Sequence, residues 1–364
     1  MSYQKTLMVM AGGTGGHVYP AIAVADALHA LGWKIVWLAT EGGMENRLIA
    51  DKPYDKAMMT MQGVRGKGLQ GWLALPVKLA RAFAQAREAI KQHQPDVVLG
   101  MGGFAAFPGG VMAKLAGTPL VIHEQNSVAG LTNKVLANIA DRVLTGFPNA
   151  LGNKGETVGN PVREAITTLP APEARFAEHR GVLRVLVVGG SLGAAALNTL
   201  LPKAFAQLPH NERPQIIHQA GEKHIEALKK AYAEAGVSAD CRAFIQDMAE
   251  VYAWADLVIC RAGALTVAEL ANVGAASILV PFPFAVDDHQ TTNAAYLQQA
   301  GAALLIQQAD LDVKQLADTL KSLDRSICMV MAQKARALAR PHATQQVAQI
   351  CQQLATANEK QSIV

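Results

Sequence analysis

The chain of 364 residues is 51% hydrophobic and 17% charged, with a formal net charge of +4. That composition excludes a disordered chain and leaves room for two domains with a core each. No apolar run approaches the roughly 18 residues that span a bilayer, and the few residues before the first glycine cluster are too short for a signal peptide. Cys241, Cys260, Cys328 and Cys351 are scattered, without a CxxC pair, and read as buried thiols of a reducing cytoplasm. In chain order, apolar strand-like runs alternate with helical segments, which predicts parallel βαβ units. The first series is Leu7–Met10, Ile35–Ala39, Ala57–Met61, Val97–Met101, Leu120–Ile122 and Val143–Thr145. Residues 146–163, rich in Gly, Asn and Pro, are the best linker. A second series follows at Leu183–Val188, Ile216–Gln219, Ala243–Ile245, Leu257–Cys260, Ser277–Val280 and Ala303–Ile306. The fold class is therefore α/β, with two doubly wound Rossmann-like domains facing a cleft, and ligands at the C-terminal strand ends.

Both series open on a strand followed by glycines: Gly12-Gly13-Thr14-Gly15-Gly16-His17 in the first, Gly189-Gly190-Ser191-Leu192-Gly193 in the second. Strand, glycine turn and helix aim bare N–H groups and a positive helix end at an anion. A plain tight turn would need only one or two glycines. His17 brings the one imidazole of the first turn, a side-chain type suited to acid–base work. Val18 and Leu192 break the dinucleotide fingerprint, and no GKS or GKT exists for a P-loop. Gly189–Gly193 also fits a hydrolase nucleophile elbow with Ser191, for which Asp287 and His342 are available partners, but no HGGG-type oxyanion loop accompanies it.

His123-Glu124-Gln125-Asn126 follows a strand and suits substrate contact, or a solvated loop. After the strand ending at Cys260, a helix start near Ala264 suits a phosphate, and Glu269 suits ribose hydroxyls or simply the helix dipole. Asp287 and Asp288 read as helix N-terminal charges. Asp310-Leu311-Asp312 matches a metal-binding DxD but precedes the periodicity Val313, Leu316, Leu320, so a helix cap is the better reading. No protein-bound metal or other cofactor is expected. A basic stretch from Lys56 to Lys91 carries Leu69, Trp72, Leu75, Leu79 and Phe83 at near-helical intervals, with Lys67, Lys78 and Arg81 between them. It reads either as a core-facing helix or as a face for an anionic membrane. Nucleic acid is disfavoured by the 5% aromatic content and the absence of a recognition motif.

Together, Gly12–His17, His123–Asn126, Gly130-Leu131-Thr132-Asn133, Gly159–Arg163, Gly189–Gly193, Phe244–Met248, Gly263–Glu269 and Asp288–Gln290 resemble the MurG family. These are the bacterial UDP-N-acetylglucosamine–N-acetylmuramyl-(pentapeptide) pyrophosphoryl-undecaprenol N-acetylglucosamine transferases. The resemblance runs through nearly the whole chain and implies a GT-B glycosyltransferase. It implies an acceptor- and membrane-binding domain of residues 1–163, on which a C-terminal helix at 341–357 packs, and a UDP-sugar domain of residues 164–340. By motif, the Ile245 backbone would read uracil, Glu269 the ribose and Gln290 the sugar. Ser191 and the helix start Ala264, Leu265 and Thr266, continuing through Val267 and Ala268, would hold the pyrophosphate. Thr14, Gly15, Gly16, Asn126 and Arg163 would complete the donor site.

The implied reaction is inverting transfer of N-acetylglucosamine from UDP-N-acetylglucosamine to the muramyl 4-hydroxyl of lipid I, giving lipid II. His17 would be the general base, with Glu124 the second candidate. The protein would lie peripherally on the cytoplasmic face of the inner membrane, which favours a membrane role for Trp72, Leu75, Lys78, Leu79, Arg81 and Phe83. Family members usually carry Gln and Arg where Leu192 and Ala195 stand here, and often a polar residue at Phe284.

Overall fold

The computed structural model describes residues 4–60, 75–190 and 193–362. Spatial contacts divide the chain into two units, Met1–Arg163 with His342–Val364, and Glu164–Pro341.

In the first unit the apolar runs become parallel strands, and the central ones, Thr6–Ala11, Val97–Gly102 and Leu120–Glu124, are covered on both faces. The strands are β1 (Thr6–Ala11), β2 (Lys34–Thr40), β3 (Asp55–Met59), β4 (Val97–Gly102), β5 (Leu120–Glu124), β6 (Arg142–Thr145) and β7 (Glu156–Thr157), in the order β3-β2-β1-β4-β5-β6-β7. The period of two in β1 splits its side chains between two core layers. Leu7 and Val9 join Val18, Ala21 and Val24 of the helix Gly15–Ala30, whereas Met8 and Met10 join Ala82, Ala86 and Ala106 on the opposite face. The C-terminal helix Ala343–Ser362 belongs to this unit: Val347, Ala348, Cys351 and Ala355 are buried in the first of those layers. Lys5 Nζ donates to Thr356 Oγ1 at 2.9 Å and ties the two chain ends together.

The second unit repeats the plan. Its strands β8 (Arg184–Val188), β9 (Gln215–Gln219), β10 (Asp240–Arg242), β11 (Leu257–Cys260), β12 (Ala276–Leu279) and β13 (Ala303–Leu305) run parallel in the order β10-β9-β8-β11-β12-β13. Three of its helices open on an aspartate that accepts from the first turn: Asp247 from Glu250 N, Asp312 from Gln315 N and Asp324 from Ile327 N. Asp312 is thus a cap, as its position before an apolar periodicity predicts.

Two local expectations fail. Ala243–Ile245 is not a strand, because the edge strand β10 uses Asp240–Arg242 instead and pairs only with β9. An edge strand is wetted along one side and tolerates charge, while Ile245, at 4% exposure, buries itself from the following loop. The segment 146–163 is more than a linker, since Glu156–Thr157 adds β7 to the first sheet beside β6.

In each sheet the strand order reverses at one point, between β1 and β4 in the first and between β8 and β11 in the second. Ligands of open α/β sheets bind outside the carboxyl ends of the strands at such a point. Both glycine turns identified in the sequence lie there.

Candidate functional site

In the first unit the turn after β1 meets the turn after β4. Gly102 and Gly103 have φ of +101° and +88°, a region that L side chains avoid. A Cβ on Gly103 would lie 2.5 Å from Gly12 O, so the two turns touch through bare backbone. The helix Gly15–Ala30 starts from Thr14 in extended conformation, with no side-chain cap and no acidic residue in its first turn. Its leading N–H groups and its positive end therefore remain available to an anion. Thr14, Gly15 and Gly16 lie at this end at least partly exposed.

His17 stands over Gly102, and a Cβ there would lie 2.9 Å from its Cε1. Its Nδ1 pairs with Gln125 Oε1 at 2.8 Å. The four polar residues 123–126 are neither a solvated loop nor a row of substrate contacts. His123 is fully buried, Glu124 and Gln125 are 1% exposed, and only Asn126 reaches the surface.

Burial without loss requires partners, and each of these residues has them. His123 Nε2 meets Gly159 O at 2.9 Å, and burial pushes its imidazole down to about 4. Gln125 Nε2 donates to His123 O at 2.9 Å and to His123 Nδ1 at 3.1 Å. The Glu124 carboxylate accepts from Asn126 N (3.0 Å), Asn126 Nδ2 (3.3 Å), Gly130 N (3.1 Å) and Asn133 Nδ2 (2.9 Å). With that many donors and no exposure, Glu124 shapes the 126–130 loop, and its geometry suits a positioning group better than a base. Arg163 is exposed at the end of the unit's first segment.

Sequence reasoning missed Glu45. Its side chain is fully buried beneath Gly12 and Gly43, and its Oε1 accepts from Thr40 N at 2.9 Å and Thr40 Oγ1 at 2.6 Å. The glycine pair Gly42-Gly43 just before it was the available signal: a Cβ on Gly43 would overlap the carboxylate.

In the second unit, Gly189 and Gly193 leave no room for a Cβ against Gln219 O and Ala220 O, which seats the turn on the end of β9. Ser191, Leu192 and the elbow geometry lie outside the described residues. The helix Ala264–Val273 begins after Gly263 with no side-chain cap and no acid in its first turn, so the N–H groups of Ala264, Leu265 and Thr266 form its open end. Val267 is buried and Ala268 half-buried behind them.

Glu269, half-buried on this helix, accepts from Tyr252 Oη at 3.0 Å. Tyr252 lies on the helix Met248–Trp254, which follows the loop carrying Ile245. Asn293 Nδ2 donates to Ala262 O at 3.2 Å and anchors the helix His289–Gln299 to the same turn. Arg261 donates to Val280 O and Pro281 O and fixes the next loop. There Gln290 Oε1 accepts from Phe282 N at 2.9 Å. Asp287 and Asp288 precede this helix with φ of +53° and +48°, a left-handed conformation that non-glycine residues hold at a cost. Phe284 is 81% exposed on this loop. The unit thus gathers Ala264–Thr266, Glu269, Gln290 and the 243–247 loop around the ends of β10, β11 and β12.

Of the basic stretch, Trp72 and the Leu75 side chain lie outside the described residues. Leu79 packs against the core of the first unit and Phe83 stacks edge-to-face on Phe107 at 5.8 Å, so both lean inward. Val77 is 73% exposed, beside half-buried Lys78 and exposed Arg81. Among the described residues no group of three His, Cys, Asp or Glu side chains is placed to hold a metal ion, and no helix is long and apolar enough to cross a membrane.

The chain matches the glycosyltransferase family 28 N-terminal domain over residues 7–145 and the C-terminal domain of that family over residues 184–354. It is 57% identical over 351 residues to a protein of Dechloromonas aromatica and 61% identical over 351 residues to one of Azoarcus sp. strain BH72. Each match covers 96% of this chain and at least 98% of the relative, and both relatives are named UDP-N-acetylglucosamine--N-acetylmuramyl-(pentapeptide) pyrophosphoryl-undecaprenol N-acetylglucosamine transferase. Among solved structures, Acinetobacter baumannii MurG superposes with a TM-score of 0.84 at 43% identity, over 96% of this chain and 99% of that one. A kitacinnamycin glycotransferase at 16% identity shares the fold, with a TM-score of 0.71. These likenesses leave no place for the hydrolase reading of Ser191. With two glycine turns at two topological switch points and full-length relatives of one kind, the chain belongs to glycosyltransferase family 28 and, within it, to the MurG family of GT-B N-acetylglucosamine transferases.

Proposed function

We propose that the protein transfers N-acetylglucosamine from UDP-N-acetylglucosamine to the 4-hydroxyl of the muramyl sugar of lipid I, with inversion, to give lipid II. The full-length identity to transferases carrying that name is the observation that carries this reading. The two units supply compatible chemistry. The open helix end at Ala264–Thr266, with Ser191, would neutralise the pyrophosphate that leaves as UDP. Val267 and Ala268 would back that end. Glu269 would accept the ribose hydroxyls, with Tyr252 holding its carboxylate, and the Ile245 backbone would read uracil. Gln290 would meet the sugar, with Thr14, Gly15, Gly16, Asn126 and Arg163 completing donor binding.

In the reaction the acceptor oxygen bonds to the anomeric carbon as the bond from that carbon to the β-phosphate oxygen breaks, its electron pair leaving with UDP. His17 is the base that takes the hydroxyl proton. Turnover of His17→Ala is expected to fall about 100-fold or more, and activity within a few-fold of wild type would reject this assignment. Glu124 is assigned to the loop it holds, not to the proton.

No bound metal is required in this account, so turnover should persist in excess chelator. Docking is proposed on the anionic cytoplasmic face of the inner membrane, through Trp72, Leu75, Val77, Lys78 and Arg81, while Leu79 and Phe83 pack on the core of the first unit. Sedimentation with anionic vesicles should weaken in Trp72→Ser and Val77→Ser; unchanged sedimentation would reject the patch.

A further inference from the structure

His17 has two ring nitrogens, and only one can accept the acceptor's proton. Which one is decided by the hydrogen bond the other makes. The structure carries enough fixed partners to answer this from its far end. Gly159 O is a pure acceptor, so the His123 nitrogen facing it at 2.9 Å, Nε2, bears the proton. Full burial keeps that ring neutral, so His123 Nδ1 is an acceptor, and Gln125 Nε2 donates to it at 3.1 Å. The same Nε2 donates to His123 O at 2.9 Å. Turning the amide over would set its oxygen against that carbonyl, so the orientation of Gln125 is determined by its surroundings. Gln125 Oε1 therefore faces His17 Nδ1 at 2.8 Å and can only accept. Asn160 Nδ2 donates to Gln125 O at 2.9 Å and Asn133 Nδ2 to His123 O at 3.2 Å, which hold the backbone of both residues in place.

We propose that Gln125 is a positioning residue of the reaction: it locks His17 in the Nδ1–H tautomer, so that Nε2 is the atom that takes the acceptor's proton. This rests on the reading of His17 as the base. Among the described residues no hydrogen-bond partner is recorded for His17 Nε2, and the half-buried ring leaves it open at the switch point. The opposite tautomer would set the Nδ1 lone pair against an oxygen lone pair.

The proton balance is simple. The 4-hydroxyl proton moves to Nε2 as the oxygen bonds to the anomeric carbon and UDP departs with the electron pair of the broken bond. The imidazolium keeps its Nδ1–H on Gln125 Oε1, and a charged donor strengthens that bond. Because the chain of bonds ends on a main-chain carbonyl that cannot release a proton, it is a lock and not a relay. The proton leaves by Nε2.

The experiment begins with two-bond proton–nitrogen NMR of the wild-type full chain carrying isotope-labelled histidine, at mildly alkaline pH, with the His17 signals assigned by their loss in His17→Ala. The expected result is Nδ1–H at His17 and Nε2–H at His123. An Nε2–H tautomer at His17, or an even mixture, overturns the proposal whether or not any variant folds. Gln125→Met should lose the Nδ1–H signature and about 10–100-fold in kcat, with the KM for UDP-N-acetylglucosamine unchanged. Gln125→Glu, held protonated by burial, keeps an acceptor oxygen on Nδ1 and an O–H donor toward His123 O, so it should retain the signature and kcat within about five-fold, a small part of a general-base contribution. Equal loss of kcat in both variants would make the role merely structural and overturn the proposal. If the signature holds but His17→Ala turns over within a few-fold of wild type, the base reading falls and the catalytic role of Gln125 falls with it, while the tautomer lock stands.

Discussion

Replacing Gly103 with alanine probes the contact on which the first glycine turn depends. The new Cβ would lie 2.5 Å from Gly12 O and 2.9 Å from Gly12 C, about 1 Å inside an ordinary contact. Both neighbours are backbone, so no side chain can swing aside. Two costs add. A side chain at φ +88° costs about 1–2 kcal/mol, and forcing the backbone apart costs about 1–3 kcal/mol more. Gly32 separates them: its φ is +84°, but nothing lies within 4 Å of a Cβ there, so Gly32→Ala bears the first cost alone. Any gain from a stiffer unfolded chain is common to both variants. At roughly 2–4 °C per kcal/mol for a domain of this size, calorimetry should show Gly32→Ala down by about 2–8 °C and Gly103→Ala by about 4–20 °C. Only Gly103→Ala moves Gly12 and the cradle it opens, so kcat should fall in that variant and stay level in Gly32→Ala. Equal melting shifts in the two variants, or a fully active Gly103→Ala, would refute the contact as described.

The buried imidazoles predict an acid limb of stability. Burial pushes His123 down to about 4 and His218 to about 3 from an ordinary 6.5. The unfolded chain gains protons below 6.5 while the folded units cannot, so stability is full above that pH and declines as pH falls toward the folded values. The decline reaches about 3 kcal/mol for His123 and somewhat more for His218; denaturation midpoints that stay flat from pH 6.5 to about 4.5 would contradict it. Glu269→Gln should raise the donor KM by about 10–100-fold and Tyr252→Phe by only a few-fold, in proportion to the strengths of charged and neutral hydrogen bonds; equal effects would argue against a ribose-binding carboxylate. Asp312→Ala should lower stability by about 1 kcal/mol through the lost cap and leave transfer untouched; a large loss of turnover would revive the DxD reading.

The parts of the fold legible in the sequence were those set by local chemistry. Leu257–Cys260 and Leu120–Ile122 are apolar on both faces, as a parallel strand covered on both sides requires, and their shortness and flanking glycines and polar residues favour strand over buried helix. Glycine clusters marked the turns because a Cβ there meets backbone, as at Gly103 and Gly193. The edge strand Asp240–Arg242 was illegible because a half-wetted edge selects no apolar pattern. The site was harder to read. His123, Glu124 and Gln125 look like a solvent or ligand loop because polarity is what a sequence displays. Their burial depends on Asn133, Gly159 and Asn160, brought close only by the fold. Glu45 was hidden for the same reason. The stripe through Leu79 and Phe83 has a period that fits a membrane face and a core face alike, and Phe107 settles the inward lean of Phe83.

The central claim is tested most directly by incubating the full chain with UDP-N-acetylglucosamine radiolabelled in the sugar and a lipid I analogue, with and without excess UDP. The account predicts one β-linked disaccharide product that appears only with the acceptor, is suppressed by UDP and is nearly lost in His17→Ala. Label released to water without the acceptor, or product formed at the wild-type rate by His17→Ala, would contradict it.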